Sequence, residues 1–534
     1  MSGTIQTLIM LLAVVAGVGL AARRLSVPPA VLLVLVGTAL ALIPGLPAME
    51  LAPEIVLLLV LPPVIYWSAI AMSWREFRFN LRPITLLAIG CVAFSTVAVA
   101  VATHLLLRIP WPIGFVIGAI VAPPDAVAPL SIARRLRVPR RILVVLEGEG
   151  LANDATALIL YRFAVAAVSV GYFSLGHAVG MFAAIVAGEL VWGIGVGWAM
   201  LRLRHWVQDP RVEITLSLLT PFLAYWPPQH LGGSGVLATV TAGLYVSWNG
   251  PRLISAATRL QGIFFGDFIM YLVEGLIFLI TGLQARAISA DIRGSSLSEL
   301  ALSAIVVSAV LIAARFIWTY PTVYLPRWLF PPIRRSDPSP PWQWPFAIAF
   351  TGVRGIVSLA AALAIPLTVA NGEPFPERNL ILFITFSVIL VTLVLQGLML
   401  PAIIRALGLA HAGRREREGD RKEEHQARLR GIEAALKRLD ELAAERKLSD
   451  SIVTPIRSNL KTRLTYVQNR RDGDESHRKL TELYEEIELL LISAERQRVN
   501  ELYRAGEVKD EARRRIEREL DLREAHLANL RSDD

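Results

Sequence analysis

The chain has 534 residues, 54% of them hydrophobic, with a mean hydropathy of +0.51, a net charge of +9 and one cysteine. Its apolar residues come in runs near or above 18, which reads as membrane helix and excludes a string of soluble domains over the first 410 residues. The lone Cys91 excludes a disulfide framework within the chain. Residues 1–410 hold 26 arginines, no lysine and 17 acids and carry the whole charge excess, while 411–534 hold 28 basic and 28 acidic residues. An excess of positive charge confined to the apolar part fits a topology bias and calls for no nucleic acid partner.

In chain order, Met1 to Ala22 has no basic residue ahead of its apolar run, and Arg23 and Arg24 follow it. That order predicts a first membrane span rather than a cleaved signal. Thirteen spans are predicted, near 4–22, 27–44, 53–73, 83–107, 111–133, 141–170, 177–201, 212–227, 230–248, 262–284, 298–326, 344–370 and 379–406. The odd-numbered connections hold 18 arginines and the even-numbered ones 4. Arginine-rich loops stay in the cytoplasm, so this alternation predicts an outside N-terminus and a cytoplasmic tail, and Arg405 at the last exit agrees.

Within the fifth predicted span, Val121-Ala-Pro-Pro-Asp-Ala-Val-Ala-Pro129 carries three prolines. Each removes a backbone donor and clashes with a preceding carbonyl, so the helix is expected to break there. Broken backbone at membrane depth is tolerated where it lines a cavity or is covered by protein, and freed carbonyls are common cation ligands. Asp125 stands at the break, as a cation ligand or as the cap of a half-helix. The next span places Glu147, Glu149 and Asp154 in apolar surroundings. A charge at the bilayer centre costs about 2.5–3.5 kcal/mol even on the lenient insertion scale, a cost that usually accompanies ion handling. Glu147 and Asp154 are seven apart and share a helix face; Glu149 and Asn153 are four apart and share another. Asp154, with an amide neighbour, is expected to face a cavity. Glu149 is expected in a buried ion pair, because the deep Arg315 and Arg354 need partners. Arg162 reads either as a snorkelling side chain or as an internal partner.

Gly232-Gly-Ser-Gly-Val236 looks like an intramembrane protease serine motif, but no histidine follows it within the spans, so a glycine-rich helix packed closely on a neighbour is the better reading. A phosphate loop needs a lysine, and the first lysine is Lys422, which excludes an ATP-driven pump on this chain alone. In the twelfth span, two glycines flank Arg354 in Phe350-Thr-Gly-Val-Arg-Gly-Ile-Val-Ser358 and weaken that helix. Interruptions in spans five and twelve, seven apart, point to an inverted-repeat transporter. One break carries an acid and the other an arginine, a pairing suited to neutralising half-helix dipoles where they cross. In the tail, Leu429, Ile432, Leu436, Leu439 and Ala443 form one short heptad seam and Leu480, Leu483, Ile487, Leu490 and Ala494 another, with a turn at Arg471-Asp-Gly-Asp474. The expectation is a hairpin whose two seams satisfy each other; a dimerising or regulatory module is the alternative.

Taken together, Pro124-Asp-Ala-Val127, Glu147-Gly-Glu-Gly-Leu-Ala-Asn-Asp-Ala155, Ser234-Gly-Val-Leu-Ala238, Ala314-Arg-Phe316 and Gly352-Val-Arg-Gly-Ile-Val-Ser-Leu359 resemble, in order, the motifs of monovalent cation/proton antiporters of the NhaP/NHE branch. The resemblance covers residues 5–405, and Arg515-Ile-Glu-Arg-Glu-Leu-Asp-Leu522 is similar to the tails of bacterial members. It implies an all-α membrane protein with about 13 transmembrane helices in two inverted six-helix repeats, broken crossing helices and a soluble helical tail. It implies a transmembrane domain over 1–410, with core helices near 83–170 and 298–406 and dimer or scaffold helices near 4–73 and 177–284, and a cytoplasmic tail over 411–534. It further implies a homodimer in a bacterial inner membrane, elevator-type alternating access, a part in pH homeostasis, and no enzyme activity or cofactor. Na+ and H+ would compete for Asp154, with Asp125, Asn153 and the Pro124 carbonyl completing the cation set. Asn153 stands where electrogenic relatives carry a second acid, which implies one-for-one exchange. Glu149 would pair with Arg315, Arg354 would sit near the crossing, and Glu147 would support the ion-pair network. Three positions depart from the family pattern: Gly150 lacks a serine hydroxyl, Pro124 lacks a threonine hydroxyl, and Trp67 stands near a glutamate of some relatives. The expected function is Na+ or Li+ exchange for H+. Alternatives are K+/H+ exchange by the same machinery and, from another class, a membrane-embedded ion or pH sensor signalling through the tail.

Overall fold

Prolines and a few capping side chains set where the helices begin. The computed structural model describes residues 2–25, 27–43, 52–170, 175–207, 209–291, 296–369, 371–469 and 475–532, and the chain divides into two units, Met1–Arg414 and Arg415–Asp534. In the first unit, α1 (Ser2–Leu25) is followed by α2 (Pro29–Ala41), which starts on a proline whose missing N–H would have no helical partner there. A π-helical stretch, Ile55–Val60, leads into α3 (Leu61–Ala71), and the short α4 (Trp74–Phe79) and α5 (Leu81–Thr85) lead through a second π stretch, Leu86–Cys91, into α6 (Val92–Leu107). The wide turn frees the Leu86 carbonyl, which the Trp318 indole N–H takes at 2.8 Å. Then come α7 (Trp111–Val121), α8 (Val127–Arg135), α9 (Arg140–Val170), α10 (Leu175–Val207), α11 (Pro210–His230), α12 (Val236–Leu253), α13 (Ala256–Leu283) and α14 (Ala285–Asp291). Asp209 caps α11 by accepting from the Arg211 and Val212 N–H groups at 2.8 and 3.3 Å. The unit continues with α15 (Leu297–Leu329), α16 (Pro331–Ser336), α17 (Gln343–Phe350), α18 (Ile356–Leu363), α19 (Arg378–Val391), a third π stretch Thr392–Gln396, and α20 (Gly397–Ala406).

Seven of these helical stretches are long and apolar enough to cross a membrane by length and composition, and Pro29–Ala41, Ile55–Ala71 and Trp111–Val121 are shorter apolar helices. One large apolar cluster joins α3, α6, α7, α9, α12, α15, α18 and α19, with Met72, Val99, Ile117, Leu151, Val236 and Ile384 inside it. The described residues carry no strand beyond an isolated bridge between Thr368 and Pro374. The Thr368 end of that bridge lies in the predicted twelfth span, whose helix ends at Leu363, ahead of Pro366, which cannot continue it.

The glycine motif at 232–236 departs further from expectation. It is not a packed helix but the turn between α11 and α12, with Gly232 at φ 92° and Gly235 at φ 73°, values that favour glycine. The reason is a buried acid on α10 that local pattern does not reveal. The Glu189 carboxylate accepts from the N–H groups of Ser234 (2.5 Å), Gly235 (2.9 Å), Leu237 (3.0 Å) and Ala238 (3.4 Å) and from the Ser234 hydroxyl (3.0 Å). It caps α12 from another helix, where the dipole favours a negative charge. Arg162 on α9 is an internal partner rather than a snorkelling one: it donates to the Gly233 carbonyl at 2.6 Å.

At the end of α9 that carries Arg140 and Arg141, Asp337 holds three cations: Arg82 at 2.6 Å, Arg141 at 2.8 Å and Arg327 at 2.7 Å. Burial pushes the Asp337 carboxyl up, but the three guanidinium groups outweigh it and hold the acid below the ordinary carboxylate range. The tie therefore persists from neutral pH down through that range and is lost only as pH falls through the depressed value.

The second unit holds most of α21 (Leu409–Arg446), then α22 (Asp450–Asn469), α23 (Glu475–Arg504) and α24 (Asp510–Ser532). The predicted turn at 471–474 lies outside the described residues. The two seams do not satisfy each other. Ile432 and Leu439 of the first are buried, whereas Leu483, Ile487 and Leu490 of the second are exposed. α23 turns its opposite face to α24, through Leu489 and Ile492 against Leu520 and Leu527. Ion pairs flank this apolar contact: Arg496 reaches Asp521 and Glu524, and Arg523 reaches Glu495.

Candidate cation site at the crossing of two broken helices

The prolines and glycines interrupt their helices where expected. Residues 122–126 separate α7 from α8, and 351–355 separate α17 from α18. The two breaks touch: the Asp125 N–H donates to the Val353 carbonyl at 2.7 Å. Asp125 also accepts from the Val127 N–H through Oδ1 at 2.9 Å, so it caps α8 while its other oxygen points towards Gly355. Any side chain at Gly355 would collide with that carboxylate, which explains glycine at the start of α18.

Arg354 has no carboxylate partner among the described residues; it serves backbone instead. Its Nε donates to the Val121 carbonyl at 2.9 Å and Nη2 to Ala122 at 3.4 Å, with Nη1 on the Gly352 carbonyl. A fully buried cation thus sits on the orphan carbonyls that end α7, where the helix dipole is negative. Its own N–H is anchored by the Thr392 hydroxyl at 3.0 Å. Thr392 opens the third π stretch. Neither Thr392 nor Glu189 was singled out from sequence; each is one polar residue in an apolar run, and each partner is dozens of residues away.

Glu149 and Arg315 form a bidentate pair at 2.5 and 2.8 Å, both 2% exposed, and Arg315 Nε also donates to the Ile348 carbonyl at 3.2 Å. This ties α9 to α15 and to α17. Glu147, two residues nearer the start of α9, pairs with Arg134 of α8 at 2.7 Å on a more exposed face.

Asn153 lies buried against the first break and donates to the Pro124 carbonyl at 2.6 Å. One lone pair of that carbonyl is therefore occupied, and the Asn153 Oδ1 is left buried without a partner. Asp154, the next residue, is half-buried, and its carboxylate takes part in no hydrogen bond or ion pair among the described residues. Asp125 lies within electrostatic reach of it. The free donors here are all oxygens: the Asp154 carboxylate, the second Asp125 oxygen, the Asn153 amide oxygen and the remaining Pro124 lone pair. That set suits a hard monovalent cation. Gly150 leaves room only for a hydrogen, since a Cβ there would stand 2.6 Å from the Ala126 methyl, so the family serine is absent for a packing reason. Trp67 packs against Gly266 of α13, and its indole N–H is buried without a partner. Among the described residues, no group of three His, Cys, Asp or Glu side chains that could hold a metal ion occurs, at this site or elsewhere.

Comparisons with known proteins identify the family. A family model described as sodium/hydrogen exchanger, transmembrane, matches residues 9–406. An uncharacterised Na+/H+ exchanger of Mycobacterium bovis is 35% identical over 98% of this chain and 96% of its own. A sodium, potassium, lithium and rubidium/H+ antiporter of Bacillus pumilus is 34% identical over 66% of this chain and 54% of its own. The solved structure of the sodium proton antiporter MjNhaP1 from Methanocaldococcus jannaschii has a TM-score of 0.62 at 19% identity, covering 76% of this chain and 98% of that one, and shares the fold. The chain belongs to the transmembrane sodium/hydrogen exchanger family, as a membrane cation/proton antiporter of the NhaP type.

Proposed function

We propose that the protein exchanges Na+ for H+ one for one, with both ions competing for Asp154. The single observation that carries this reading is a membrane-depth carboxylate with no arginine or hydrogen-bond partner among the described residues, set beside an unpartnered amide oxygen. A proton or a cation must neutralise it, because an isolated charge in that setting is costly. One titrating acid moves one charge either way, so the exchange is electroneutral; Asn153 adds an oxygen ligand but no second charge.

Glu149–Arg315 and Arg354 hold the interrupted helices in place and stay paired through the cycle. Asp125 contributes one oxygen to the cation and one to the α8 cap. The helices near 83–170 and 298–406 act as the moving core and those near 4–73 and 177–284 as the scaffold and dimer surface, in two inverted repeats of six helices and elevator fashion. The N-terminus lies outside a bacterial inner membrane and residues 411–534 in the cytoplasm, where exchange serves pH homeostasis. A second reading, K+ exchange by the same machinery, is favoured by the likeness to the Bacillus antiporter, whose ions include potassium. In one vesicle preparation with an internal acid load and a pH-sensitive dye, Na+ and Li+ should dissipate the gradient at lower concentration than K+. A K+ response equal to or stronger than that for Na+ would move the assignment to the second reading.

A further inference from the structure

The Gly233–Ser234 peptide group sits between two charges on different helices, the half-buried Arg162 and the buried Glu189. Its carbonyl accepts from Arg162 of α9 at 2.6 Å, and its N–H donates to Glu189 of α10 at 2.5 Å. One amide is thus polarised from both ends, and hydrogen bonds in such a chain strengthen one another. The peptide is held by its surroundings: the Gly233 N–H donates to the Pro228 carbonyl at 2.8 Å, and both neighbouring glycines have positive φ. Glu189 is 2% exposed and has no cation partner among the described residues, so the α12 N-terminus and this relay carry its compensation.

Elsewhere α9 and α12 share an apolar cluster. Leu151, Ala155 and Leu158 of α9 share one cluster with Val236, Val240 and Leu244 of α12. Such a surface has no directional preference and lets helices slide, whereas an arginine on a carbonyl fixes one register. Arg162 lies eight residues beyond Asp154, about 12 Å along the same helix, so displacement of α9 past α12 moves Asp154 and breaks this bond together.

We propose that Arg162 is a positioning residue for transport: through the Gly233–Ser234 peptide and Glu189 it latches the carrier helix α9 to the α10–α12 scaffold in this state, and the latch opens each time Asp154 changes sides. The inference rests on the alternating-access reading above. A charged hydrogen bond of this kind is worth about a ten- to hundredfold population ratio.

The test uses the full-length protein with Cys91→Ser and spin labels at Ala166→Cys on α9 and Leu231→Cys on the turn, both exposed sites. Electron–electron distances are measured in liposomes, with ΔpH-driven Na+ uptake assayed on the same samples. Arg162→Met should raise the minor distance population about tenfold or more and shift the KM for Na+ while uptake continues, and Arg162→Lys, which keeps a donor, should restore much of the parent distribution. A distance distribution for Arg162→Met identical to its parent, with uptake intact, overturns the latch. Should that variant not fold, Ser234→Ala, which removes one donor from Glu189, should move the distribution in the same direction, and an unchanged distribution would overturn the latch equally. Absence of uptake in the unmutated protein would instead count against the antiport reading, a separate result.

Discussion

Asp154→Asn is expected to reduce ΔpH-driven Na+ uptake in proteoliposomes to the level of protein-free vesicles while leaving the protein folded. The amide has nearly the shape of the acid and costs less to bury, so no packing change is required. What disappears is the ability to carry a proton at all. Asp125 stays with the α8 cap, its Oδ1 on the Val127 N–H and its own N–H on the Val353 carbonyl, so the proposal gives it a ligand's part and not the exchanged proton. Asn153 cannot, because an amide does not titrate in this range. The unfolding temperature in detergent should match or exceed that of the unmutated protein, since a costly unpaired acid has been removed. Uptake by the variant at the unmutated rate would remove Asp154 from the mechanism.

Glu149→Ala should have the opposite profile: the dominant effect is on stability. The substitution leaves Arg315 charged and 2% exposed with no carboxylate partner among the described residues, although the Ile348 carbonyl still accepts from its Nε. Breaking one side of a buried pair costs about 3–5 kcal/mol, largely because the remaining charge is uncompensated. The double variant Glu149→Leu/Arg315→Met removes both charges and should be milder than the single one, even though it also forfeits the bond to Ile348. A thermal midpoint for Glu149→Ala equal to that of the unmutated protein would show that the pair is not structural, and Glu149 would then have to be considered for ion handling.

These two acids lie five residues apart on one helix, and their different roles were legible before any coordinates. Deep arginines demand partners, and Glu149 is the acid on the same helical face as Asn153 that can supply one. Both interruptions were legible as well, because proline and glycine act on their own backbone and leave a local trace. Partnerships set by the packing of distant helices left none. Arg354 does not seek a carboxylate but the carbonyl end of α7, an acceptor that every residue type offers. Thr392 holds Arg354 from a π stretch 38 residues away, and Glu189 turns a glycine motif into a capped turn from 45 residues away. The tail seams show the same limit: periodicity marks Leu483, Ile487 and Leu490 as apolar, while the face of α23 that is covered carries Leu489 and Ile492 against α24.

The central claim is that two ions take turns at one carboxylate, and competition between them is the most direct consequence. Initial Na+ uptake should be measured against Na+ concentration at several pH values on the binding side, with the driving gradient held constant. The KM for Na+ should rise on acidification, towards about tenfold per pH unit once the proton form predominates, with the maximal rate recoverable at high Na+. A KM independent of pH, with only the maximal rate falling, would mean that proton and cation occupy different groups, and Asp154 would not be their common seat.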